Sequence, residues 1–322
     1  MRRTLAATIV LLVLIGGCSG KRDPKELIAP NGSGTILVDA RLIVGESYPA
    51  VRVTTTQSPD LPYRHDDAGL SGARVTVFSS SGDSVQYSEF SSPGDYRPFN
   101  YYSGADTITP HTTYYLRVVA PDGRVVTAQT TTPDPFHVRE WVLLDATTLA
   151  VRRALMPAPQ TPPEIPPAYI PDSVFQANPL VYQDGIVEAR FDRGNALAFQ
   201  MALFSLDAGS PLVIDADFLS DADKASLDRE SSSPPIEAPD GYARLPWLAV
   251  WYEGRHRFVV YSVDRNWYDL ARSARFNGPS NIGFGSNAGD DFERPIFHIR
   301  GGIGLFGSAA MDQTGFVVLP RP

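Results

Sequence analysis

Short runs of alternating apolar and polar residues fill the chain from Thr35 to Thr132 and predict a succession of strands near residues 35–44, 48–57, 73–79, 83–90, 112–120 and 124–131. The alternation is plainest in Thr113 to Val119. There Tyr114, Leu116 and Val118 share one face, while Tyr115, Arg117 and Val119 share the other. Ala120-Pro121-Asp122-Gly123 separates the last two strands and suits a tight turn, because Pro fixes φ, Asp caps locally and Gly tolerates positive φ. Strands at this spacing predict a β-sandwich over residues 35–132.

A second β-rich region is expected over 181–322, with strands in IVEARFD, ALAFQMALFSL, RLPWLAVWYEG, RHRFVVYSV, PIFHIRGG and GFVVL. Two short helices are predicted within it. One starts at Ser220 with early acids, and one follows Asp264, which can cap a segment whose Trp267, Leu270 and Ala271 fall on one face. Between the two regions, nine prolines lie in the 39 residues from Pro133 to Pro171. Proline supplies no ladder hydrogen bond, so 133–180 reads as an extended connector, with the apolar Trp141–Leu144 docking on a neighbouring domain. The fold class is mainly β.

The pattern breaks at the N-terminus, where Arg2 and Arg3 precede an apolar run from Leu5 to Ile15. That run is too short to span a bilayer and reads as a secretory signal peptide over 1–17. Ile15-Gly16-Gly17-Cys18 resembles a bacterial lipobox, which makes Cys18, the one cysteine of the chain, the expected lipidation site. Residues 18–34, polar and rich in Gly, Pro and Ser, then form a flexible tether. Ser19 follows the cysteine in place of an inner-membrane retention Asp, so the expected location is the outer membrane, lipid-anchored, on either face.

Charge and chemistry narrow the function classes. The net charge is −8, and −10 once removal of residues 1–17 takes away Arg2 and Arg3, so no basic footprint marks a nucleic-acid binder. Gly302-Ile-Gly304-Leu-Phe-Gly307 matches a dinucleotide fingerprint in letters. It lacks the room for the helix, second strand and acid that the fingerprint needs, and glycines at a bend or a close backbone approach explain it better. No G-x-S-x-G elbow occurs, and His65, His111, His137, His256 and His298 are scattered without metal-ligand spacing. Asp215, Asp217, Asp221, Asp223 and Asp228 lack the calcium-loop pattern and read as capping and solvating acids, as does the acidic turn 289–293. No catalytic residue, metal or cofactor is therefore expected.

One compositional feature points to binding. Eight aromatics fall in the 27 residues from Tyr242 to Tyr268, among them Trp247, Trp251 and Trp267. In a small β domain they serve as core; exposed, they would stack on sugar rings or anchor a partner, which makes these three tryptophans the candidate contacts.

Gly69-Leu-Ser-Gly72-Ala73-Arg-Val75-Thr-Val77, the Gly82-Asp83 turn, Tyr87, Pro93-Gly94-Asp-Tyr96, Thr113–Val118 and Thr127-Ala128 together resemble the N-terminal half of a lipoprotein family known as domain-of-unknown-function family 4249. Asn281-Ile282 and Gly301–Gly307 resemble its closing signature, and the first half is also similar to the carboxypeptidase regulatory-like module. The resemblance implies an outer-membrane lipoprotein with an immunoglobulin-like first domain, often associated with TonB-dependent uptake receptors. It supplies no catalytic residues. The Pro-rich stretch 157–171 and the region 210–240 depart from the pattern. The expectation is a non-enzymatic binding or accessory protein with an outer-membrane protein partner. The alternatives are a carbohydrate-binding or scavenging module that takes a glycan or peptide ligand, and a lipid-anchored hydrolase with a dispersed site.

Overall fold

The computed structural model describes residues 34–58, 68–90, 99–101, 106–159, 169–214, 216, 220, 223–224, 227–273 and 295–322. The signal peptide, Cys18, the tether up to residue 33, His65, Pro93–Tyr96, the prolines 162–167, Asp215, Asp217, Asp221, Asn281-Ile282 and the acidic turn 289–293 lie outside those residues.

The described residues are mainly β. The first region holds β1 (Ile36–Ile43), β2 (Val51–Thr55), β3 (Arg74–Ser79), β4 (Ser84–Gln86), β5 (Ser88–Phe90), β6 (Phe99–Tyr101), β7 (Thr113–Val119) and β8 (Val125–Thr131). Then come β9 (Val138–Leu144), β10 (Val151–Leu155), the short helix α1 (Asp172–Ala177), β11 (Pro179–Val181), β12 (Ile186–Phe191), β13 (Ala198–Ser205), β14 (Glu230–Ser232) and β15 (Tyr242–Leu245). The chain closes with β16 (Gly254–Val263), helix α2 (Arg265–Ser273), β17 (Ile299–Arg300) and the 17-residue β18 (Ile303–Leu319).

These strands form three sheets. A nine-stranded sheet runs β14-β13-β16-β18-β1-β2-β6-β5, with β11 also paired to β18. A five-stranded sheet runs β17-β8-β7-β3-β4, and a four-stranded sheet runs β10-β9-β12-β15. The alternation seen in the sequence decides the layers. Ile36, Val38, Val53, Val75, Val77, Leu116 and Val118 point inward and seal one core between the β1–β2 end of the large sheet and the five-stranded sheet. Phe199, Met201, Leu203, Phe258 and Val260 seal a second core against Trp141, Leu143, Val187 and Ala189 of the four-stranded sheet.

β18 joins both cores. Its N-terminal half pairs in parallel with β1, Ile303 to Leu37 through Ala309 to Ile43, and its C-terminal half pairs antiparallel with β16. Phe306 enters the first core, while Ala310, Phe316 and Val318 enter the second. The first sandwich is thus completed by residues more than 170 positions after its last local strand, and β17 adds a further strand beside β8. Alternation along the chain carries no information about such a pairing.

Two strands, a helix and the start of β11 fall within the stretch expected to be an extended connector. β9 and β10 form an antiparallel pair, and β9 also pairs with β12. The prolines permit this because they stand outside the strands: Pro133 and Pro135 precede β9, and Pro157 and Pro159 follow β10. Trp141 and Leu144 are 2% and 1% exposed, so the apolar run anticipated to dock does so as a strand.

The fingerprint-like glycines are where β1 and β18 meet. Gly304 has φ +113, and a Cβ there would stand 2.1 Å from the carbonyl oxygen of Val38; at Gly302 a Cβ would stand 2.6 Å from that of Ile36. Close backbone approach explains the pattern, as expected. Asp264 caps α2 as its sequence suggested, accepting from the backbone N–H of Trp267 at 2.9 Å.

Candidate binding face

The outward side of the five-stranded sheet carries an uninterrupted arrangement of side chains. Register places Gln86, Thr76, Arg117, Thr127 and Arg300 in one row across β4, β3, β7, β8 and β17. The next row reads Ser84, Phe78, Tyr115 and Gln129. Because side chains alternate, the same strands send Val75, Val77, Leu116, Val118 and Val126 into the core, and this anchors the face to a rigid layer.

Two properties set this face apart. Phe78 and Tyr115 are direct cross-strand neighbours, 38% and 43% exposed, whereas the largest aromatics of both cores are fully buried. The five strands also contain Arg74, Arg117 and Arg300 and not one acid, in a chain of net charge −8. All three arginines are exposed, and none forms an ion pair among the described residues. Of the exposed arginines elsewhere, Arg152 pairs with Asp145 and Asp184 and Arg255 with Asp207 and Asp172, while Arg52 and Arg265 resemble these three in lacking an ion pair among the described residues. Asp122, in the β7–β8 turn, is held by Arg124 at 2.7 Å. The result is an aromatic pair beside a row of exposed arginines that have no ion-pair partner among the described residues, with hydroxyl and amide side chains around them.

The three tryptophans singled out in the sequence do not form one platform. Each is half-buried in its own setting. Trp247 donates its indole N–H to the Gly185 carbonyl at 2.6 Å and packs edge-on against Tyr182 beside the second core. Trp267 lies on α2 against Tyr261, with the Arg41 guanidinium 5.3 Å from its ring centre. Trp251 lines a shallow indentation together with Tyr252, Asp228, Arg229 and His256, whose free space of about 10 Å³ is no more than a single water needs. Of their aromatic neighbours, Tyr252 and Phe258 are buried. The aromatic density therefore builds packing over much of 242–268, while exposed aromatics stand on strands of the first sandwich that carry far fewer of them. The usable signal was the polar phase of the alternation, which holds Phe78 and Tyr115.

Titratable groups with altered environments lie inside the molecule. His256 is 1% exposed, stacks on Phe316 and shares a hydrogen bond with the Gly254 carbonyl at 3.0 Å. Burial pushes its pKa down to about 4, with Arg229 adding to the effect and the Gly254 carbonyl and Asp207 opposing it. Asp264 is raised by burial, against hydrogen bonds from Thr130 and from the start of α2. Thr130 also lies 2.8 Å from Ser308, so this cluster ties β8, β18 and α2 together. Glu188, 3% exposed, sits between Arg190 and Arg244, each at 2.7 Å. Among the described residues, no three His, Cys, Asp or Glu side chains gather as metal ligands.

Residues 26–153 match the model of a family described as Domain of unknown function (DUF4249). The match spans β1 to the middle of β10 and includes β3, β4, β7 and β8 of the exposed face; Arg300 and the resembling segment 301–307 lie beyond it. No curated protein matches the chain.

Proposed function

We propose that this chain is a lipid-anchored outer-membrane protein that acts by binding rather than by catalysis, through the outward face of its five-stranded sheet. The observation that carries the reading is the exposed Phe78–Tyr115 pair beside exposed arginines that form no ion pair among the described residues, on a rigid sandwich layer. Exposed aromatics and arginines are the side chains that most often dominate binding energy. The signal-like start and Cys18 in its lipobox-like setting support the anchor, and no helix among the described residues is long and apolar enough to cross a membrane. An accessory role beside a TonB-dependent uptake receptor, with an immunoglobulin-like first domain, belongs to the same reading and rests on the family resemblance.

Photo-crosslinking in intact cells tests it. A benzophenone amino acid at position 115 is expected to give adducts, whereas the same group at Tyr169, 53% exposed and away from the face, is expected to give none. Equal labelling from both positions, or none from position 115, counts against the face. Replacing Cys18 with Ser is expected to release the protein from the membrane fraction with its fold intact; retention in that fraction counts against the anchor.

A further inference from the structure

We propose that the occupant of this face is a carboxylate-bearing polysaccharide, a polyuronate-type glycan. The inference rests on the reading of the face as the binding surface and adds the chemical class of what it holds.

Charge complementarity comes first. Arg117 and Arg300 stand in one row, separated by Thr127, and Arg74 lies a diagonal step from Arg117 on β3. With strands ~4.8 Å apart, Arg117 and Arg300 are about 10 Å apart at their Cα atoms, the scale of a disaccharide. A chain with acidic overall charge that gathers on the strands of one sheet three exposed guanidiniums without an ion pair among the described residues, and no acid, presents them to an anion. Distributing them along a row, rather than converging them on one point, suits a polymer carrying one charge at intervals. A guanidinium matches a single carboxylate in a bidentate pair.

The class of polymer follows from what a sheet face offers. Its backbone N–H and C=O groups are spent within the ladders, so only side chains meet the ligand. An extended acidic peptide would gain most at a strand edge, where its own backbone can pair. A sugar chain carries no such demand. Its hydroxyls are matched by the hydroxyl and amide groups of Thr76, Thr127, Gln86 and Gln129 in the two rows, and its apolar ring faces by Phe78 and Tyr115.

The test is affinity measurement on the detergent-solubilised full chain with oligogalacturonate. Neutral galactan, a phosphorylated lipopolysaccharide core oligosaccharide, polyglutamate and a single-stranded oligonucleotide serve as competitors. Oligogalacturonate is expected to bind in preference to all four, with affinity that falls as salt rises. Arg117→Gln and Arg300→Gln are each expected to weaken it about tenfold. Tyr115→Ser is expected to weaken it too, while Arg139→Gln on β9 leaves it unchanged. Circular dichroism and the melting temperature of each variant confirm that it is folded. Absence of oligogalacturonate binding, equal binding of neutral galactan, or indifference to the Arg117 and Arg300 changes overturns the proposal. Preferential binding of the phosphorylated core overturns the carboxylate class, and preferential binding of polyglutamate or the oligonucleotide through the same arginines overturns the glycan class, each leaving the face as binding surface. Failure of crosslinking from position 115 removes the face itself.

Discussion

Protonation of His256 should be a principal route by which mild acid weakens this protein. The imidazole is 1% exposed, packed flat on Phe316, and its pKa is about 4 against an ordinary 6.5. Below pH 6.5 the unfolded chain takes up a proton at this residue that the folded chain refuses. Stability from the neutral ring is thus fully present above pH 6.5 and is lost as pH falls from 6.5 towards 4. The gap corresponds to ~3 kcal/mol in total, of which about 2 kcal/mol is lost by pH 5. Asp264, Asp312 and Glu46, whose pKa values burial raises, act in the opposite sense, because the folded state holds their protons more tightly. Wild-type stability alone therefore mixes the two. His256→Phe keeps a ring against Phe316 and cannot titrate, so the difference between variant and wild type isolates the histidine. Urea unfolding followed by tryptophan fluorescence from pH 7 to 4.5 should show a wild type that loses about 2 kcal/mol more than the variant over that range. Parallel pH profiles would refute the reasoning.

Three further outcomes are expected. Gly304→Ala puts a Cβ against the Val38 carbonyl oxygen at a left-handed φ and should cost more than ~2 kcal/mol in urea unfolding; an unchanged midpoint would mean that β1 and β18 are not so close. Asp264→Ala strips the cap of α2 and the partner of Thr130, and should cost about 2 kcal/mol, with Asp264→Asn recovering part of it. Phe78→Ser with Tyr115→Ser should alter stability by only about 1 kcal/mol, the scale of an exposed cross-strand pair; a several-fold larger loss would mark these residues as packing rather than contact.

Much of the fold was legible wherever period-two alternation runs between turn residues. β3, β7, β8, β12, β13 and β16 appear where the pattern places them, and Asp264 caps the helix it was expected to cap. What the pattern could not convey was partnership. Nothing local tells Phe306 and Phe316 that they belong to different cores, or pairs Arg300 with Thr127. Proline density misled in the segment before residue 180, because prolines confined to strand flanks do not prevent β9 and β10 from forming. The candidate face was hidden for the same reason. Its arginines are distant in sequence, and its two aromatics were masked by the denser cluster at 242–268, where the half-buried Trp247 and Trp267 pack against the cores.

Hydroxyl-radical footprinting of Phe78 and Tyr115, on the anchored protein in intact cell envelopes and on the purified protein in detergent, tests most directly whether the outward face of the five-stranded sheet is the working surface. Occupancy predicts that both rings are shielded in the envelope while Tyr169 reacts equally in the two preparations. Equal modification of Phe78 and Tyr115 in both would contradict the account.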